Sequence, residues 1–372
     1  MNFEFSDDQK MLKDQVRRFL ETASSSQEVR TVLDNPDKIY NEKLWSGLKD
    51  MGLMGTAIPE AYGGVGAGYL ELCVVAEELG RHVAPVPFSS SIYLAAEAIL
   101  AAGTEDQKQK YLPGLASGDV IGTFAAVEGS GRLTPASIKA SVSGDKLSGT
   151  KTMVPDGSIA DLAVVIAGEG GRLSLYIVDL KDASVTRTTR NSIDPARDMA
   201  ELSFNGTPAE RLGAAGEGFD LLTRIYDRAA VLFAFEQLGG ALKALESAVD
   251  YSKERYAFGR QIGSFQALKH MMADMYVSAE LARSNCYYGA WALSSGAEGE
   301  LPEAAATARL AATKAYQHCA KDNIQVHGGM GFTWEFDCHL HYRRANLLAL
   351  VLGAASEWED KVIARLEDKN AA

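Results

Sequence analysis

The stretch of sequence that best reveals the fold is RYAFGRQIGSFQ, at residues 255–266. It joins two segments, about 219–253 and 264–296, whose apolar residues recur at the period of an α-helix. It offers the Arg255 guanidinium for phosphate, the Phe258 ring for stacking and the Gln266 amide, beside a helix start that favours anions. The same stretch is also typical of a plain helical hairpin, with Arg255 in solvent and Phe258 in the core. Both interpretations therefore stay open.

A second informative stretch is QVHGGMGF, at residues 325–332, between the last two long helical segments. Three of the four positions 328–331 are glycine, which lets backbone N–H groups approach a phosphate or nucleotide closely. The alternative is a glycine-rich helix stop. His327 adjoins this turn, and a lone histidine in such a place is more often structural than catalytic.

Outward from these stretches, the apolar period divides the chain into three regions. Up to about residue 118 the spacing is helical, with Ser6 as the cap of a first helix. Further helices are predicted at about 44–52, 69–80, 90–102 and from 104 to a stop at 113–114. From 218 onward the helical period returns in four long segments, at about 219–253, 264–296, 302–327 and 335–366.

Between these helical regions, β-branched residues enter in short runs separated by glycine, aspartate and serine. The predicted strands are 121–127, 138–142, 162–166, 173–178, 185–189 and 200–204. Strands without intervening helices favour an antiparallel sandwich or barrel. The predicted fold class is therefore α+β: an N-terminal helical domain at 1–118, a middle antiparallel β domain at 119–217 and a C-terminal four-helix bundle at 218–372.

Composition excludes several classes of function. A formal net charge of -12 disfavours nucleic acid and anionic membrane surfaces as partners. The four cysteines have no paired spacing, so neither a disulfide framework nor a metal site is expected. The acidic start of the chain lacks the features of a signal peptide, and no apolar run reaches the roughly 20 residues that cross a bilayer. We expect a cytoplasmic protein.

Together the two stretches, in this order and behind a β region, resemble the acyl-CoA dehydrogenase family. Three shorter runs extend the resemblance over essentially the whole chain: IPEAYGG at 58–64, EELG at 77–80 and GTK at 149–151. The resemblance implies a dimer of dimers that holds FAD across a subunit interface, an acyl-CoA substrate and an electron-transferring flavoprotein as acceptor.

The same resemblance implies a set of cofactor-binding residues. Arg255 and Phe258 would meet the pyrophosphate and adenosine side of a flavin held mainly by the neighbouring subunit, with Gln266 beside them. The remaining implied contacts of this half-site are Gln325, Gly328 and Gly329.

The sequence departs from the family pattern where the β region should hold the flavin ring. The family usually has a Thr-Glu-Pro run there, and this chain has Val127, Glu128 and Gly129, which lack the hydroxyl. The family usually has Trp-Ile-Thr or Trp-Ile-Ser against the reactive edge, and this chain has Met153, Val154 and Pro155. The aromatic shield, the hydroxyl and one backbone N–H are lost.

The general base is also missing at the positions the resemblance implies. Dehydrogenation takes a proton from the α-carbon while hydride leaves the β-carbon, so a carboxylate must lie within reach of that proton. Leu352 stands at the usual glutamate position, and Ala229 at the position used by a minority of the family. Glu236, about two helical turns after Ala229, is a weak candidate for a relocated base. No catalytic residue is assigned.

Three hypotheses about the function of the chain follow. The favoured one is a subunit of a hetero-oligomeric dehydrogenase, in which a related chain supplies the base and the ring pocket, as in members that act on bulky side chains such as those of steroids. The second is an autonomous homo-oligomer with a relocated base, or a flavin-binding paralogue with another activity such as thioester reduction. The third is a catalytically silent structural paralogue.

Overall fold

The computed structural model describes residues 6–297 and 299–371, so the first five residues of the acidic start lie outside the described residues. Helices flank a middle region of strands, which confirms the predicted fold class. A π-helix at Ser89–Ala96 precedes the fifth α-helix. The α-helices before the sheet are α1 (Asp7–Ala23), α2 (Ser26–Leu33), α3 (Glu42–Asp50), α4 (Tyr69–Arg81), α5 (Glu97–Ala102) and α6 (Glu105–Ser117).

Local signals explain where the early helices begin and end. Ser6 Oγ accepts the Gln9 N–H at 3.2 Å and the Gln9 side chain accepts the Ser6 N–H at 2.9 Å, so the predicted cap is confirmed. The predicted stop at 113–114 was wrong, because α6 runs through Pro113 and ends at Gly118, whose φ is +72°. Proline lacks the backbone N–H that would donate one helical hydrogen bond, but its φ is compatible with a helix. The hydrogen bonds of the flanking turns therefore continue the helix through Pro113. Helix α2 was not predicted.

The middle strands form one sheet in the order β6-β7-β3-β2-β4-β5-β8, with β1 also paired to β4. Most neighbours are antiparallel as predicted, whereas β1 and β2 run parallel to β4. The apolar alternation revealed neither β3 nor β8, although the GTK run that carries the family resemblance lies within β3. In β3 the buried Lys151 interrupts the apolar alternation. The strands are β1 (Gly122–Ala125), β2 (Ser141–Ser143), β3 (Lys146–Pro155), β4 (Leu162–Glu169), β5 (Arg172–Asp179), β6 (Val185–Thr189), β7 (Met199–Pro208) and β8 (Glu210–Leu212).

The C-terminal region is helical, as predicted, with one correction. The fourth predicted segment is two helices, because the chain turns at Leu352 and Gly353, whose φ values are +66° and +97°. A short hairpin, β9 (Tyr256–Ala257) and β10 (Arg260–Gln261), joins the first two helices. The helices are α7 (Gly218–Glu254), α8 (Gln266–Ser294), α9 (Leu301–His327), α10 (Cys338–Leu350) and α11 (Ala355–Ala371).

The described chain divides into two compact units. The first unit lies within the ranges Met1–Val29, Leu70–Ala84 and Ala230–Ala372, and the second within Arg30–Tyr69 and Pro85–Ala229. In the first unit, α4 and α7 approach closely: a Cβ added at Gly80 would lie 1.8 Å from the carbonyl oxygen of Glu236. The three-domain boundaries at 118/119 and 217/218 stay a prediction. Across the described ranges, no helix combines the length and apolarity needed to cross a membrane.

Candidate functional site

The stretch at 255–266 folds as a tight hairpin between α7 and α8. Its two-residue loop is Phe258 and Gly259, with φ values of +52° and +78°. Positive φ at both positions is the backbone of a type I′ turn, which glycine adopts without strain and phenylalanine does not. The Phe258 ring is 94% exposed, so the interpretation that placed it in the core was wrong.

Polar side chains beside the hairpin are exposed. Arg255 follows the last residue of α7, and Gln266 opens α8. Neither side chain, nor that of Gln325, has a hydrogen-bond partner among the described residues. The guanidinium and the two amides are therefore available to a ligand.

The glycine stretch lies at the end of α9. Gly328 ends the helix with a φ of +60°, and a short 3₁₀ helix, Gly328–Phe332, follows. A Cβ placed on Gly328 or Gly329 would meet nothing within 4 Å. The backbone at both glycines is thus open to close approach.

The structure brings the two stretches side by side through His327, which the sequence analysis named, and through Tyr251 and Phe336, which it did not. Tyr251, one helical turn before Arg255, stacks on His327 with ring centroids 4.0 Å apart. Phe336 packs edge-on against both rings. His327 Nδ1 donates to the Asn323 carbonyl at 2.8 Å, and burial lowers the pKa of the ring. His327 is a packing residue that joins the ends of α7 and α9.

In the sheet, the run at 127–129 is firmly held. The Glu128 carboxylate pairs with the Lys151 ammonium and accepts the Ala140 N–H at 3.1 Å. Burial lowers the pKa of Lys151, and Glu128 opposes that shift. The Gly129 N–H is taken by Thr152 Oγ1 at 3.0 Å. Contacts of the neighbouring residues therefore hold this segment in place. The missing hydroxyl at Val127 reflects the residue type and not a loss of local structure.

The run at 153–155 is a bulge in β3. Pairing with β7 shifts register between Lys151 and Val154, and Met153 takes a φ of +49° with its side chain 46% exposed. Pro155 has no N–H to offer, and its carbonyl already accepts the Thr123 hydroxyl at 2.5 Å. These residues present a thioether and no side-chain donor.

The bend at residue 352 is built by backbone contacts. The fully buried Arg309 donates to the carbonyls of Leu348 and Val351 at the end of α10, the latter at 2.6 Å. The Leu352 carbonyl accepts Trp358 Nε1 at 3.2 Å. Arg309 was missed by the sequence analysis, although a lone arginine among the alanines of α9 was a usable signal. These contacts hold the bend at its backbone and do not involve the side chain at residue 352.

The alternative base positions are also occupied by packing residues. Ala229 is fully buried, and Arg228 beside it pairs with Glu97. Glu236 is only 3% exposed, and its Oε1 lies 3.7 Å from Arg344 Nη1. Glu236 thus serves as a counter-ion inside the first unit.

Comparison with known proteins places these features in a family. Two family models match: "Acyl-CoA dehydrogenase, N-terminal domain" over residues 6–119 and "Acyl-CoA dehydrogenase, C-terminal domain" over residues 216–365. The acyl-CoA dehydrogenase IpdE2 of Mycobacterium tuberculosis is 34% identical over 370 residues, covering 98% of this chain and 97% of that protein.

Solved structures agree. A chain of the ChsE4–ChsE5 complex of Mycobacterium tuberculosis superposes with a TM-score of 0.89 at 27% identity, covering 99% of each chain. A chain of the Tcur3481–Tcur3483 steroid ACAD superposes with a TM-score of 0.87 at 30% identity, covering 98% of this chain and 99% of that one. The chain therefore belongs to the acyl-CoA dehydrogenase family of flavoprotein oxidoreductases, which act on CH–CH bonds.

Proposed function

We propose that this chain is one subunit of a hetero-oligomeric, FAD-dependent acyl-CoA dehydrogenase. It supplies the adenosine-side half-site to a flavin held mainly by a related subunit, and that subunit supplies the general base. The half-site consists of the six residues Arg255, Phe258, Gln266, Gln325, Gly328 and Gly329. The reaction of the assembled enzyme is the α,β-dehydrogenation of an acyl-CoA thioester.

The observation that carries this proposal is the side chain at residue 352. The bend at the end of α10 is fully formed, held by Arg309 and Trp358, and yet it presents leucine, which cannot accept a proton. Ala229 at the other position is equally unable to act. A chain that keeps the frame of a base position without the base fits a role beside a second, catalytic subunit.

The described residues fit one part of FAD and not the other. An unpaired guanidinium, two unpaired amides, an exposed aromatic ring and two open glycines suit a pyrophosphate and an adenosine. The corresponding run in the sheet offers Val127, Met153 and Pro155, whose side chains provide no hydroxyl, and Pro155 also has no backbone N–H. The unequal fit supports a half-site contribution.

The roles of this chain in catalysis are binding and orientation. FAD, when bound, supplies the hydride acceptor for the β-carbon. Arg255 would neutralise phosphate charge, and Phe258 would cover an adenine face. Fixing the adenosine end of the cofactor holds its reactive end in place for the neighbouring subunit, because orientation accounts for much of enzymatic rate enhancement.

Substrate and acceptor follow from the family. Fatty acyl-CoA and CoA thioesters of steroid side chains are the two substrate classes proposed, the second supported by likeness to a steroid ACAD. An electron-transferring flavoprotein is the proposed acceptor. The likeness to a chain of the ChsE4–ChsE5 complex supports assembly with a related subunit.

The alternatives are an autonomous homo-oligomer with a relocated base, a paralogue with another activity such as thioester reduction, and a catalytically silent structural paralogue. The first requires Glu236 to accept a proton, and its burial against Arg344 argues against that role. The other two differ from the proposal in their flavin behaviour and are separated by the same experiment.

The test is to purify the chain alone and after co-expression with a related subunit from the same organism. Each sample receives FAD, an artificial electron acceptor and acyl-CoAs from short-chain to steroid-sized. We expect the isolated chain to stay colourless and inactive, since a missing base alone removes a factor of about 10²–10⁴. We expect the pair to be yellow and active. Robust turnover by the isolated chain would contradict the proposal, and a chain that never retains flavin with any partner would be the silent paralogue.

A further inference from the structure

The first unit contains a cavity that the flavin half-site does not use. Its volume is about 500 Å³, within the range of small-molecule sites. The walls come from the end of α1, the start of α2, the end of α4, the middle of α7, the end of α9 and the start of α10.

Histidines give this cavity hydrogen-bond acceptors. The Nδ1 atoms of His82 and His327 lie 2.9 and 2.8 Å from the backbone carbonyls of Glu78 and Asn323. A carbonyl only accepts, so each Nδ1 carries the proton and each Nε2 presents a lone pair in the neutral ring. Burial lowers the pKa of both rings, and that of His341 to about 3. All three imidazoles are therefore uncharged at neutral pH.

A buried amide adds a further acceptor. Asn323 lines the cavity, is 1% exposed, and its Oδ1 has no hydrogen-bond partner among the described residues. A buried polar atom without a partner costs about 1–3 kcal/mol, so such atoms usually meet a ligand or ordered water. The cavity wall thus presents acceptors to the hydrogen-bond donors of a ligand.

Charged side chains of both signs line the same space, namely Arg81, Lys243, Glu21 and Asp337. Arg81 and Lys243 line the cavity, and both lower the pKa of His341. Arg81 pairs with Glu246, whereas Lys243 Nζ stays 3.8 Å from that carboxylate, beyond hydrogen-bond distance. Ser25 and Ser26, at the start of α2, also line the cavity, and a helix start favours anions. The wall therefore offers Lys243 and the start of α2 to an anion, while Glu21 and Asp337 place negative charge beside the acceptors that a donor would meet.

We propose that this cavity binds a phosphorylated nucleoside. Amino and hydroxyl groups of the nucleoside donate to His82 Nε2, His327 Nε2 and Asn323 Oδ1, and the Phe336 ring supplies an apolar wall. The phosphate lies against Lys243 and the start of α2. The metal alternative does not arise, because no group of three histidine, cysteine, aspartate or glutamate side chains in the described chain is placed to hold an ion.

The experiment measures binding of AMP, adenosine and inorganic phosphate to the full chain by isothermal titration calorimetry. AMP is expected to bind more tightly than either fragment. Lys243→Met is expected to weaken AMP at least tenfold and to leave adenosine unchanged. Asn323→Leu is expected to weaken both AMP and adenosine. Lys253→Met, on the same helix outside the cavity, and Gln317→Leu, on the same helix as Asn323, are the matched controls.

Two further arms identify the ligand source and separate this site from the flavin half-site. Displacement of AMP by coenzyme A would assign the phosphorylated adenosine to that molecule, and no displacement would assign it to a free nucleotide; both outcomes support the site. AMP binding lost in Arg255→Ala but kept in Lys243→Met would overturn it, because the nucleotide would then occupy the half-site. Absence of binding by all three probes would also overturn it, and the cavity would hold only water.

Discussion

The Glu236→Gln substitution tests whether this carboxylate stabilises the fold or acts as the general base. Its Oε1 lies 3.7 Å from the fully buried Arg344. Arg344 also donates to the carbonyls of Val83 and Ala84, at 3.3 and 3.2 Å. Burial lowers the pKa of Arg309 to about 9, and the charge of Glu236 opposes that shift. One carboxylate thus offsets the charge of two buried guanidinium groups.

The magnitude follows from this burial. Glutamine keeps the shape of the side chain but removes the negative charge that pairs with Arg344 and opposes the lowered pKa of Arg309. Breaking a buried ion pair by removing one partner costs about 3–5 kcal/mol. A typical domain is stabilised by about 5–15 kcal/mol in total, so Glu236→Gln should unfold at a clearly lower urea concentration.

The assay is urea unfolding followed by far-UV circular dichroism, with two comparison variants. Glu246→Gln, further along the same helix, removes a half-exposed partner of Arg81 and should cost at most about 1 kcal/mol. The double variant Glu236→Met with Arg344→Met removes both charges and should lose less than the sum of its single variants. Wild-type stability in Glu236→Gln, together with loss of turnover in an active preparation, would refute this reasoning and make Glu236 a base.

Three further predictions concern the half-site and a buried histidine. Arg255→Ala should lower the flavin content of the assembled oligomer, measured by absorbance, because paired phosphates lose a bidentate cation, whereas Lys253→Ala should not. Phe258→Asn should keep or raise stability by up to about 1 kcal/mol, since asparagine tolerates a left-handed backbone, and yet lower flavin retention; equal retention would remove the stacking role. The depressed pKa of His341, about 3, favours the neutral ring in the fold, so stability is lost as pH falls from about 6.5 toward 3. Between pH 8 and pH 5 the wild type should lose about 2 kcal/mol that His341→Gln retains, and His270→Gln, at an exposed position, is the matched histidine replacement.

Much of the fold was predictable because its signals are local. The Ser6 cap, the glycine after α3 and the change of apolar period near residues 120 and 218 all act within a few residues of chain. Prediction failed where a local signal was overridden by tertiary contacts. Lys151 is charged and yet fully buried against Glu128, so the longest missed strand had no apolar alternation to detect.

The sequence indicated the residue types of the candidate site, but not which of these residues lie close together in the fold. Arg255 and Gly328 could be selected from their own neighbourhoods. Their proximity could not, because it depends on Tyr251 and His327 stacking across 76 positions of sequence. The same holds for Arg309, whose carbonyl partners lie in another helix. Contacts of this range need the folded chain.

Phe258 and Leu352 both adopt a left-handed backbone, with φ values of +52° and +66°, but the contacts around the two residues differ. Phe258 adopts a left-handed backbone at a cost of about 1–2 kcal/mol and leaves its ring in water, so folding alone gives no reason for phenylalanine there. Leu352 is strained in the same way, but there the bend accounts for the strain, because Arg309 and Trp358 donate to the backbone carbonyls of Val351 and Leu352. The contacts that hold the bend at residue 352 therefore do not require a carboxylate there, whereas no backbone preference accounts for an aromatic ring at residue 258. This asymmetry is what a subunit that binds a cofactor without performing the proton transfer should display.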